Sequence, residues 1–182
     1  MSEKIEITRE MLTGARDYVP NAEKEAWVAE NAAKCFDRLA ITSDGEELPT
    51  MYMVNEGLRR RFLMTAFVKT YLRQKAEADE RDETVISESC YDKWAGSHVF
   101  NQMERMKKDE NLRDKCFDLL ADYKDLEKRF SAQLAGLLTV QNDSVVRQAQ
   151  YTSTQMKALP GLLDELKKLA DRKGEADGKT DG

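Results

Sequence analysis

The sequence predicts an all-α fold, a multi-helix bundle with long coiled-coil-like helices, and three observations carry that reading. Between Glu56 and Lys75 the residues Phe62, Leu63, Met64, Ala66, Phe67, Val68, Tyr71 and Leu72 leave almost no polar side, the mark of a helix buried on several faces. Leu112, Cys116, Leu119, Tyr123, Leu126, Phe130, Gln133 and Leu137 recur at alternating spacings of four and three, the seam of helices packed at a shallow angle. The 182 residues are 41% hydrophobic and 35% charged. That charged share exceeds the roughly 25% of ordinary globular domains, and exposed helix faces would absorb it.

Taken in order, the first helix uses Ile7, Met11, Leu12 and Ala15, with Thr8 as N-cap, since a threonine hydroxyl satisfies an otherwise orphaned amide of the first turn. Pro20 ends the segment, and Asn21 is placed to cap a second helix through Ala26, Trp27, Ala33, Phe36, Leu39 and Ala40 to about Ile41. In that helix Glu23 and Glu25 oppose the dipole, whereas Lys24 stands where a capping-box glutamate would be. Ser43-Asp44-Gly45, followed by Pro49, is a turn signal, because Asp-Gly accepts positive φ and proline withdraws a donor. The central helix comes next, with Arg59, Arg60 and Arg61 at its start.

The charged run KAEADERDE, residues 75–83, reads as a solvated helix end before Thr84 caps a new helix. That helix places Ile86, Cys90, Trp94 and Ser97 near one face beside Tyr91 and Phe100, and Gly96 and Ser97 weaken its continuity. The heptad segment follows, about 45 Å long if helical from Asp109 to Thr139 at 1.5 Å per residue. A rod of that length outreaches a compact bundle, so part of its seam is expected to meet another long helix or a second copy of the chain in a dimer. Leu112, Leu119, Tyr123, Leu126, Phe130 and Leu137 are the self-association seam on this reading, and Leu120, Leu134 and Leu138 widen it toward a multi-helix contact.

Asn142-Asp143-Ser144 is placed to cap a further helix, lightly buried along Val145, Ala149, Thr152 and Met156. Leu159-Pro160-Gly161 breaks the pattern, with the proline suited to the first turn of a last helix carrying Leu162, Leu163, Leu166 and Leu169. Residues 1–173 thus form a single all-helical domain, and residues 174–182, GEADGKTDG, a disordered tail.

Charge and motif bound the function. A formal net charge of -5 and a pI near 5.2 argue against nonspecific nucleic-acid binding by the whole surface, which needs a basic footprint. No apolar run reaches the 18 or so residues of a membrane span, and MSEKIEITRE lacks the apolar core of a secretory leader, so the expected place is the cytoplasm with no membrane partner. Cys35, Cys90 and Cys116 are odd in number, far apart and set in helical patterns. They read as reduced, buried thiols.

His98 is the lone histidine, and nothing in WAGSHVF suggests the strand-turn-helix context that exposes a nucleophile; it reads as a satisfied helical histidine. Glycines 14, 45, 57, 96, 136 and 161 never cluster into a phosphate cradle, and no CxxC pair, HExxH or calcium loop occurs. The expectation is therefore a protein that is not an enzyme, with no cofactor and no metal.

Two charged constellations remain. From Pro49 to Lys75 six basic residues face the single Glu56, with Arg59, Arg60 and Arg61 at the centre, a pattern that suits either a nucleic-acid or acidic-partner patch or pairing with carboxylates of neighbouring helices. Between Glu77 and Asp92 the chain is acidic, and Asp79, Glu80, Asp82, Glu83 and Glu88 suit docking into a basic channel of another protein.

In length and whole-chain texture, including the opening MSEKIEITREMLTGARDYV and the stretch YDKWAGSHVFNQMERMKKDENLRDKCFDLLADYKDLEKRF, the chain resembles proteins encoded by phages and mobile elements of gut Firmicutes. Within that group it is similar to the anti-CRISPR proteins that inhibit type II-A effector nucleases. That resemblance implies a direct-binding partner, the type II CRISPR effector nuclease with or without its guide RNA, and blockage of target DNA binding or of the later nuclease-domain movement. The runner-up readings are a phage structural or assembly chaperone acting through amphipathic helices, and a small DNA-binding regulator using Arg59 to Arg61.

Overall fold

The computed structural model describes residues 4–39, 42–43, 46–47 and 51–177, with side chains except at 39, 42–43, 46–47, 154–159 and 162–177. It is mostly helical: α1 (Arg9–Gly14), α2 (Asn21–Ala32), α3 (Glu56–Thr65), α4 (Glu88–Gly96), α5 (Val99–Met106) and α6 (Arg113–Asp177). Four short strands interrupt this pattern: β1 (Phe36–Leu39), β2 (Thr42–Ser43), β3 (Glu46–Glu47) and β4 (Met51–Val54). The chain divides into two compact units, residues 1–37 with 52–138, and residues 38–51 with 139–182.

α1 starts as its sequence specifies, with the Thr8 hydroxyl accepting from the Met11 amide at 3.2 Å. In α2 the cap differs: Pro20, not Asn21, is the N-cap, and its carbonyl accepts from the Glu23 and Lys24 amides. The second helix also stops early, passing through a 3₁₀ turn at Ala33–Cys35 into β1. β1 neighbours β4, and the Asn55 amide donates to the Cys35 carbonyl at 2.7 Å. FDRL fits a helix and a strand about equally by pattern, so a partner distant in sequence decides. β2 and β3 pair antiparallel with Ser43 opposite Glu46; the Asp-Gly turn expected between them lies outside the described residues, as does Pro49.

The central stretch is buried as its composition requires. Phe62, Leu63, Met64, Ala66, Phe67, Val68, Tyr71 and Leu72 all lie in the core. Asn55 caps α3 by accepting from the Leu58 amide at 2.9 Å. After Thr65 the helix widens to a π-helix over Ala66–Tyr71, and the Leu72 amide reaches the Phe67 carbonyl five residues back. Arg73 then turns left-handed at φ 55, ending the segment before the Lys75 that the sequence suggests. Around this π turn Phe67, Phe100, Tyr123 and Tyr71 form a ring cluster with centroid separations of 4.6 to 5.7 Å, inside the range where aromatic pairs attract beyond their buried area.

Leu112, Leu119, Tyr123, Leu126 and Phe130 are buried within the chain itself, and Leu137 is half-buried. This corrects the expectation of a free self-association seam: α1 to α5 are short helices that together cover it, so no second long helix is required. The break expected at Pro160 is also absent, since α6 runs through Pro160 and Gly161, and no new helix begins at Ser144. Relative to alanine, Pro160 costs a helix about 3 kcal/mol and Gly161 about 1 kcal/mol. The amphipathic side chains expected for the last helix, Leu162 to Leu169, lie outside those described, and so do residues 178–182 of the expected tail; residues 174–177 are helical.

The first unit is tied by a buried cation. Lys24, only 2% exposed, donates to Asp122 at 2.5 Å and to Asp125 at 3.0 Å. Asp122 also accepts from the Val19 amide at 3.0 Å and the Tyr71 hydroxyl at 2.9 Å. Burial by itself would lower the Lys24 pKa, but the hydrogen bonds to the two aspartates outweigh it and raise the value. The N-terminal segment is held differently, by side chains: Gln102 accepts from the Ile7 amide and donates to the Ile5 carbonyl, and the Ser97 hydroxyl accepts from the Ile5 amide.

The three cysteines are free and buried, in line with their reading as apolar residues, and burial pushes the Cys35 thiol up to about 12. His98 is not helical: it is an exposed residue at φ 52 in the turn between α4 and α5. Gly96 and Ser97 end α4 there, as their low helix propensity suggests.

Candidate functional site

The charged run that follows the π-helix forms an ordered loop over the N-terminal ends of α3 and α4. Ala78 and Ile86 make an antiparallel bridge, the Asp79 amide donates to the Val85 carbonyl at 2.8 Å, and the Ser87 amide donates to the Glu77 carbonyl at 2.9 Å. Val85 and Ile86 anchor the loop in the core at 1% and 0% exposure. The helix after it begins later than expected. Thr84 is not its cap, because its amide and hydroxyl both donate to Asp82; Ser87 takes that place and accepts from the Cys90 amide.

Arg61 fastens the loop from below. Its guanidinium pairs with Asp79 and donates twice to the Ile86 carbonyl, at 3.0 Å from Nε and at 2.6 Å from a terminal nitrogen. Thr65 completes the anchor by accepting from the Ile86 amide at 3.0 Å while donating to the Arg61 carbonyl at 2.7 Å. A third cation, Lys34 at the end of α2, donates to the Thr84 hydroxyl at 2.9 Å and lies 3.8 Å from Asp82. The Asp79 carboxyl is held below its ordinary value chiefly by the Arg81 amide and then by Arg61. That of Asp82 is lowered chiefly by Thr84.

Between this loop and the two helix starts lies an open cleft of about 780 Å³. Its lining carries the carboxylates Glu77, Asp79, Glu80, Asp82 and Glu88 against the cations Lys34, Arg61 and Arg81. Asp79 and Asp82 are used up internally, so Glu77, Glu80 and Glu88, all exposed, are the acidic groups left to meet a partner. Glu83, also exposed, lies outside the lining, and its carbonyl is 3.5 Å from the Lys69 ammonium. Asp79, Glu80, Asp82 and Glu88 are thus brought to one cleft and Glu83 is not.

The basic run does not form one patch. Arg59 is bound to Glu56 and Ser131 at 2.9 Å each, Arg61 is committed to the loop, and Arg60 alone of the three is exposed. Pattern reading missed Glu77, Lys34 and Arg81 as members of the site. Glu77 was visible as part of the charged run, but Lys34 comes from a helix more than forty residues away in sequence, and only folding places it there. Among the described residues no cluster of His, Cys, Asp and Glu could hold a metal ion, and no helix is long and apolar enough to cross a membrane.

No protein-family model, curated protein or solved structure matches this chain. Its site must be read from its own geometry.

That geometry makes a specific demand of Arg61. Lysine there keeps the charge but cannot hold the Ile86 carbonyl and Asp79 together, because it lacks the planar fork of donors. Arg61→Lys is expected to cost about 1 to 2 kcal/mol and to speed hydrogen exchange at the amides of Asp79, Val85 and Ser87, leaving α6 amides protected. Unchanged exchange in the loop would show that Arg61 does not hold it.

Proposed function

We propose that this chain is an anti-CRISPR inhibitor that binds a type II-A CRISPR effector nuclease in a bacterial host cytoplasm and blocks target DNA binding or cleavage. One observation supports the reading above the others: Glu77, Glu80 and Glu88 stand unpaired around an open cleft whose loop is fixed by Arg61, Thr65 and Lys34. A preordered set of carboxylates loses little conformational entropy on docking. Type II effectors carry DNA in a positively charged channel, and a complementary acidic face supplies orientation and on-rate against such a surface. No chemistry is asked of the inhibitor.

With a formal net charge of -5, the acidic character is local, which favours engagement of one basic feature over imitation of a whole duplex. The DNA-regulator reading is the weaker one, since Arg59 and Arg61 are already engaged within the protein.

The test is duplex cleavage by a guide-loaded type II-A effector, titrated with this protein, with co-elution measured with and without guide RNA. Inhibition with co-elution is expected. The triple variant Glu77→Lys, Glu80→Lys, Glu88→Lys should weaken inhibition by about tenfold to a hundredfold while circular dichroism stays unchanged. Neither inhibition nor co-elution with several effectors would dismiss the reading, and co-purification with a capsid or tail protein would replace it with the assembly-chaperone one.

A further inference from the structure

The second unit contains most of the helix for which the sequence offers no intramolecular neighbour of similar length. Along its face, cover by the chain itself fades: Leu134 is buried, Leu138, Val145 and Ala149 are half-buried, and Thr152 is exposed. The apolar register does not fade with it. From Val145 the positions Ala149, Thr152, Met156, Leu159, Leu163, Leu166 and Ala170 continue at spacings of four, three, four, three, four, three and four, on a backbone that is helical throughout. A strict seven-residue repeat, in place of the 3.6-residue drift of a straight helix, is the pattern of a helix supercoiled with a partner helix.

We propose that a second copy of this chain packs along the 149–170 register of α6, forming a two-stranded coiled coil between subunits. Two further features argue for such cover and for this occupant. Pro160 and Gly161, the two worst helix formers, sit inside the helix, and a helix with only solvent around it is marginal even for good formers. Both fall at register positions beside and behind the seam, where no apolar knob is needed. In coiled coils the choice of a different partner is written in charges flanking the seam. Here the flanking positions are Gln148, Ser153, Gln155, Pro160, Leu162, Lys167 and Leu169, with a single charge among them. An uncharged flank selects no foreign sequence and presents almost no like-charge clash to a copy of itself. The surface differs from the acidic cleft, and the inference does not depend on the inhibitor reading.

The full chain examined by sedimentation equilibrium is expected to show a mass near twice its 20.9 kDa at micromolar concentration. Leu163→Glu with Leu166→Glu should return it to the single-chain mass over about a hundredfold range of concentration, whereas Lys168→Glu, on the opposite side of the repeat, should leave the dimer intact. Hydrogen exchange of the unaltered protein provides a readout independent of folding defects: protection over residues 152–170 should rise with concentration while the core of the first unit stays constant. A single-chain mass throughout overturns the proposal. So does a dimer that survives the double substitution.

Discussion

Asp122→Leu is expected to destabilise the first unit by about 3 to 5 kcal/mol, the usual result of removing one partner from a buried ion pair. The carboxylate serves three donors at once: the Lys24 ammonium, the Val19 amide and the Tyr71 hydroxyl. Leucine has a similar volume but accepts nothing, so the ammonium keeps only Asp125, and the other two donors lose a partner. Tyr71, itself fully buried with its ionisation pushed up by burial and by Asp122, cannot turn to water. The comparison is Asp125→Leu. Asp125 is 43% exposed against 11% for Asp122, and loss of an exposed pair costs at most about 1 kcal/mol. Urea unfolding followed by circular dichroism separates the two. Equal, small losses for both would mean that Lys24 is solvated and that the network does not tie α2 to α6.

The second large effect falls on the ring cluster. Phe67→Ala should cost about 3 to 5 kcal/mol, because Phe67 is fully buried and its ring lies 4.6 Å from that of Phe100 and 5.2 Å from that of Tyr123. It also belongs to the π-helix, where its carbonyl accepts from the Leu72 amide. A cavity there opens beside backbone that cannot readily collapse into a tighter helix without shifting Tyr71. Phe67→Leu, which fills most of the space, should cost clearly less. Against a total of about 5 to 15 kcal/mol for a typical domain, the alanine variant is expected to melt well below the parent protein. A loss under about 1 kcal/mol would show that the π turn and the ring cluster are not stabilising the core.

How much of this was legible beforehand varies by element. The burial of Phe62 to Leu72, the Thr8 cap, the end of α4 at Gly96, the buried thiols and the acidic character of residues 77–88 are local properties of composition and spacing. The acidic loop was visible as a charge run, but its order was not. Arg61 and Lys34, which hold it, looked like members of a basic surface until the chain brought them beneath Asp79 and beside Thr84.

The residues alone therefore determined a mostly helical protein, its main buried segment and where its negative charge concentrates, because periodicity and propensity act over a few neighbouring residues. Tertiary structure decided the rest. It turned Phe36–Leu39 into a strand, placed the heptad residues up to Phe130 inside the chain's own core, and divided the carboxylates into those spent on Arg61, Lys34 and Thr84 and those left around the cleft. Strand pairing, burial of a seam and neutralisation of a charge each depend on a partner far away in sequence. Local pattern can state the need for that partner but cannot name it.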